Sequence, residues 1–192
     1  MTVLFMLLTE PIHPYEMQRR MKLWGKDMVV NVTQRASLYK TIDRLVQAGL
    51  ISVLHTERGQ RFPDRTVYEL TEEGMRTARE WLVEMLAVPR NEYPRFPAAL
   101  SFIFALTPEQ AVDVLQQRET VLVEQLEMLL KASAGNDGPM PPRVTLLETE
   151  YLVSMTRMEL SWVNNTIADL RTGVLSWTEE ELMEAARQFM GE

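Results

Sequence analysis

Five cations in the chain are spaced so that they could meet a polyanion together. Lys40 and Arg44 are four apart, and Arg58, Arg61 and Arg65 follow at three and four. Side chains at i and i+4 share a helix face, so Lys40 and Arg44 would stand side by side. Short polar or cationic residues, Thr33, Gln34, Arg35 and Ser37, precede them, and Gln60 lies among the arginines. The cations could neutralise phosphates, while short hydrogen-bonding side chains early in a helix could reach base edges.

Other chemistry is poorly provided for. With no cysteine, there can be no disulfide framework, thiol nucleophile or cysteine-ligated zinc. The two histidines, His13 and His55, have no ligand set around them and read as structural or surface residues. Glu148 and Glu150 are two apart on a predicted helix, so they point apart and make a poor acid/base pair. The expectation is no catalytic residue, no metal and no cofactor.

Net charge is −7 over 192 residues, but its distribution matters more than its sum. Residues 19–65 carry 10 Lys/Arg against 4 Asp/Glu, whereas residues 89–192 carry 8 against 16. An acidic body with one basic segment can stay soluble and still bind a polyanion.

The elements that must position these residues follow from hydrophobic spacing. The opening run MTVLFMLLTEP is too short to span a bilayer and is closed by Glu10 and Pro11. It also lacks the flanks of a signal peptide and reads as a buried first helix, roughly Met1–Leu8. EPIHP is a turn, and a second helix covers roughly Tyr15–Trp24. A third starts after Thr33 as N-cap and stops at Gly49, with Leu38, Ile42, Leu45 and Val46 facing inward. Ser37, Lys40 and Arg44 then face outward, and Tyr39 sits at the boundary. Leu50–Thr56 and Thr66–Leu70 are strand-like. The segment between them has the Gly, Pro and Asp of a hairpin tip. Thr71 caps a fourth helix that carries Trp81.

Val88–Pro97 holds three prolines and reads as connection. This divides the chain into 1–88, a connecting segment 89–107, and a helical region 108–192. TPEQ at Thr107 and TEEE at Thr178 are helix-start signatures. A long helix is expected over Arg143–Leu170, ending at Gly173. One stripe of it holds Val144, Leu147, Tyr151, Met155, Met158 and Trp162; a second holds Leu152, Leu160, Val163, Ile167 and Leu170. A helix apolar on two sides must be covered twice. The helix Glu109–Lys131 supplies one cover with Leu115, Leu122, Leu126 and Leu129. A second copy of the chain most economically supplies the other, over Leu147, Tyr151, Met155, Met158 and Trp162; the alternative cover is the winged domain of the same chain. Trp81, Phe96, Phe102, Tyr151 and Trp162 are the aromatic candidates for lining a small-molecule pocket.

Helix, helix, helix and basic hairpin, in that order, make a winged helix-turn-helix. LLTEPIHPYEMQRRM, SLYKTIDRLVQAGLI and RTVYELTEEG resemble, in order and spacing, the signature segments of the PadR family of bacterial transcriptional regulators. The likeness runs over about residues 4–80, with Pro14 and Arg35-Ala36 standing where the family has other residues. It implies a mainly α fold with a small β-hairpin, in which a winged helix-turn-helix domain carries a C-terminal helical dimerisation domain. It also implies a cytoplasmic homodimer that binds a double-stranded DNA operator, acts as a repressor and is released by an effector. Within that frame the DNA-binding set is Thr33, Gln34, Arg35, Ser37, Tyr39, Lys40, Arg44, Arg58, Gln60, Arg61 and Arg65. The alternative is a winged helix used only for protein contacts, without DNA. No membrane association is expected.

Overall fold

The computed structural model describes residues 1–23, 35–57, 65–134 and 142–190. The chain forms two compact units, residues 1–91 and 92–192.

In the first unit, α1 (Thr2–Met6) and α2 (Pro14–Leu23) precede α3 (Arg35–Gln47). Strands β1 (Ile51–Glu57) and β2 (Arg65–Leu70) then form an antiparallel hairpin, followed by α4 (Glu72–Ala87). The opening run is a buried helix as expected, with Leu4 wholly enclosed. Leu4 packs with Met17 and Met21 of α2, Ile42 of α3 and Ala78 of α4 in one core. α2 begins at Pro14 rather than Tyr15. Proline suits the first helical position, where the backbone N–H has no partner to lose. His13 caps this helix: its Nδ1 accepts the Glu16 backbone N–H at 3.1 Å.

The EPIHP segment is more than a turn. Ile12 exchanges both backbone hydrogen bonds with Tyr68, at 3.1 and 3.2 Å, and so adds a bridge to the hairpin edge. The hairpin register pairs Ile51 with Leu70 and Glu57 with Arg65, with an irregularity between Val53 and His55.

α3 buries Leu38, Ile42 and Leu45. Val46, expected on the same face, is instead 36% exposed. It lies one residue beyond Leu45 at the helix end, where the core no longer reaches. Gly49 adopts φ +70° and ends the helix, a left-handed conformation that suits glycine. Thr71 caps α4 as expected, its hydroxyl accepting the Gly74 N–H at 2.9 Å. The same hydroxyl donates to the Gly49 carbonyl at 2.8 Å, tying the α3 exit to the α4 entry.

The second unit contains α5 (Arg95–Leu100), α6 (Pro108–Ala134), α7 (Leu147–Thr172) and α8 (Glu179–Met190). Helix α5 lies inside the segment read as connection. Its prolines fall at or near the helix start, where they are tolerated, and Phe96 and Ile103 pack on this unit's core. Reciprocal caps open α6 and α8. Gln110 Oε1 accepts the Thr107 N–H at 3.0 Å, and Glu181 Oε2 accepts the Thr178 N–H at 2.7 Å. Ala111, Leu115 and Leu122 of α6 bury against Val163, Ile167 and Leu170 of α7, while Leu126 is only half-buried. The Arg118–Glu159 ion pair and the Trp177 Nε1–H bond to the Leu106 carbonyl, 2.9 Å, fix the packing register.

α7 begins at Leu147, later than the spacing suggests. Arg143–Thr145 form a separate 3₁₀ turn, so Val144 lies outside the helical stripe. Gly173, φ +74°, stops α7 as expected. No helix among the described residues is long and apolar enough to cross a membrane.

Candidate nucleic-acid interface

The outward face of α3 exists because its inward face is committed. Leu38, Ile42 and Leu45 are buried, and the helical period then turns Ser37, Lys40 and Arg44 to solvent. Among the described residues, neither Lys40 nor Arg44 forms an ion pair. Asp43 shares the exposed surface, leaving an excess of one positive charge over these three residues. Thr41 Oγ1 donates back to the Ser37 backbone carbonyl at 2.8 Å, and the Ser37 side chain is exposed. Tyr39 is 49% exposed, so its ring is not enclosed in the core. Burial pushes the Tyr68 hydroxyl of the neighbouring strand up, and the Asp43 carboxylate adds to the effect.

Arg65 is exposed at the start of β2. Arg35 opens α3. Thr33, Gln34, Arg58, Gln60 and Arg61 lie outside the described residues. The structure therefore brings Ser37, Lys40 and Arg44 onto one face and puts Arg65 at the loop end of the hairpin ladder.

Helix α2 carries residues that the spacing did not single out, one of them, Tyr15, next to Arg65. Tyr15 is exposed in the first turn, and the Arg65 guanidinium carbon lies 5.9 Å from its ring centroid. Arg19, also exposed, donates two bonds to Glu16, at 2.8 and 2.9 Å. Arg20 bonds the same carboxylate at 2.8 Å and reaches Glu10 at 2.6 Å. The Arg19 guanidinium, and after it that of Arg20, lowers the Glu16 carboxyl to about 2. The signal available for these residues was compositional: Arg19, Arg20 and Lys22 begin the basic segment.

The aromatic candidates do not form one group. Trp81 is on α4, in the first unit. Within the second unit, Phe96 and Trp162 meet edge to face, centroids 5.9 Å apart and planes at 82°. They line an open groove of about 900 Å³ with Arg118, Met155, Met158 and Glu159. The Arg118 guanidinium lies 3.5 Å over the Phe96 ring and pairs with Glu159. Tyr151 is exposed outside this groove, and Phe102 sits against Phe104 at 6.3 Å. Leu147, Tyr151, Met155, Met158 and Trp162 are all exposed along α7. Among the described residues no three acidic or histidine side chains are grouped to hold a metal.

Comparison with known proteins bears on the fold. Residues 3–80 match the model of the transcriptional regulator PadR-like family. No curated protein matches the sequence. Among solved structures, the Bacillus subtilis PadR in complex with operator DNA superposes with TM-score 0.73 at 17% identity, over 88% of this chain and 95% of that one. The same protein in complex with p-coumaric acid gives 0.68 at 18%, over 88% and 96%. The Vibrio cholerae virulence activator AphA gives 0.65 at 14%, over 88% and 95%. The chain has the winged-helix fold of these solved structures, and it is over residues 3–80 that it is similar to the PadR-like family of transcriptional regulators.

Proposed function

We propose that the protein is a sequence-specific DNA-binding transcriptional regulator, a repressor that works in the cytoplasm as a homodimer and responds to a small effector. The observation that carries the DNA reading is the division of α3: Leu38, Ile42 and Leu45 buried on one side, Ser37, Lys40 and Arg44 exposed on the other. A helix of this width enters the major groove. Thr33, Gln34, Arg35 and Ser37, in or just before its first turns, are the base-reading candidates, with Lys40 beside them. Lys40, Arg44, Arg58, Arg61 and Arg65 meet phosphates, and Tyr39 and Gln60 flank the backbone. The operator complex of the B. subtilis relative supports the same reading.

Pairing of two chains is supported by the apolar stripe Leu147, Tyr151, Met155, Met158 and Trp162, left exposed along α7. Contiguous exposed apolar surface of this kind marks an interaction site. An effector would take the groove lined by Phe96 and Trp162; the p-coumaric acid complex of the relative supports a small aromatic compound. Trp81, Phe102 and Tyr151 are the outlying candidates for the same role.

The test is titration of duplex DNA recovered from a random pool, at several salt concentrations. Tight binding to an enriched sequence that weakens steeply with salt is expected. Equal affinity for enriched and scrambled duplexes would overturn the regulator reading.

A further inference from the structure

We propose that Tyr15 is a positioning residue for the hairpin: its ring holds the Arg65 guanidinium against the start of α2. Helix α2 and the loop end of the hairpin ladder would then meet a DNA backbone as one unit. The inference rests on the DNA reading above.

Three observations carry it. Tyr15 is 55% exposed, so burial of its side chain does not account for an aromatic there. Its ring is nonetheless held in place. His13 lies nearly parallel to it, at 27° and 6.2 Å between centroids. His13 is itself fixed by capping α2, one residue after the Ile12–Tyr68 bridge to the hairpin. Finally, the Arg65 guanidinium carbon lies 5.9 Å from the Tyr15 centroid, within the range at which a ring face attracts a cation. Arg65 opens β2 in register with Glu57, so its backbone is set by the ladder, and the ring contact adds a restraint on its side chain. A ring that restrains the side chain before DNA arrives lowers the ordering cost of the contact.

Arg19 lies one helical turn beyond Tyr15. It shares the Glu16 carboxylate with Arg20, which is also tied to Glu10. Counted with Glu10 and Glu16, the two arginines form a charge-balanced cluster on α2.

A positioning ring and a phosphate-bonding hydroxyl make different demands on position 15. Phenylalanine keeps the ring and loses the hydroxyl; leucine keeps apolar bulk and loses the ring. The experiment measures affinity for the best duplex recovered by selection, using full-length parent, Tyr15→Phe, Tyr15→Leu, Arg65→Gln and the Tyr15→Leu/Arg65→Gln double variant. Thermal melts confirm that each is folded. Tyr15→Phe should bind within about twofold of the parent, and Tyr15→Leu about two- to fivefold more weakly. In the Arg65→Gln background, Tyr15→Leu should cost nothing further. If Tyr15→Phe loses as much as Tyr15→Leu, the hydroxyl is the contact and the inference fails. Losses that multiply independently in the double variant overturn it equally. A parent that binds no DNA overturns both this inference and the reading beneath it, whereas a binding parent with uncoupled variants overturns this inference alone.

Discussion

A Cβ placed on Gly74 would fall 1.9 Å from the carbonyl oxygen of Leu50. The first turn of α4 thus packs directly on backbone at the α3–β1 junction, where the Thr71 N–H also bonds Leu50 O at 3.2 Å. This approach seats α4 against the exit of α3. Any side chain at position 74 must push that junction apart. Gly74→Ala should cost about 1–3 kcal/mol or more, as overpacking does, read as a lowered urea midpoint. An unchanged midpoint would mean that the approach is not as close as described.

The acid limb of stability should depend on Glu16. Arg19, then Arg20, holds its carboxyl at about 2, against an ordinary 4.5. A carboxyl lowered in the folded state contributes stability that is complete above its unfolded pKa. That contribution is lost as pH falls from about 4.5 towards 2. Glu16→Gln should flatten the fall in melting temperature across that window and leave the slope near neutrality alone. An identical acid limb in the variant would contradict the assignment.

Local signals were read well from the sequence; contacts between distant segments were not. Thr71, Thr107 and Thr178 cap the helices they were expected to cap, because a cap needs only the next three residues. Gly49 and Gly173 take the left-handed conformation that stops a helix. On α3, the outward placement of Ser37, Lys40 and Arg44 followed from the period alone. Val46 did not, since burial at a helix end depends on how far the packing partner reaches. The Ile12–Tyr68 bridge and the Tyr15–Arg65 contact join segments far apart in the chain, and no periodicity encodes them. Helix α5 was hidden by its prolines, which mark both turns and helix starts.

The outward cations of α3 should be visible as salt dependence. Lys40→Ala and Arg44→Ala should each reduce the slope of log affinity against log salt by about one unit. Arg61, outside the described residues, should behave alike if the hairpin tip follows the backbone. Variants with the parent slope would remove the corresponding contact from the account.

Pairing through α7 should yield to charge. Leu147 and Tyr151 are exposed, so Leu147→Asp with Tyr151→Asp should leave the chain folded while breaking the pair. Sedimentation at micromolar concentration should give about twice the 22.2 kDa chain mass for the parent and the chain mass for the variant. A monomeric parent would refute the α7 seam.

The central claim is that α3 reads DNA sequence. Selection from random duplex DNA, run in parallel with the parent and Ser37→Ala, tests it most directly. The parent should enrich one motif with two related half-sites, centred about 10–10.5 base pairs apart or a multiple of that. Ser37→Ala should enrich a motif altered at matching positions in both halves. A parent that enriches no motif, or a variant that returns the parent's motif unchanged at every position, would contradict it.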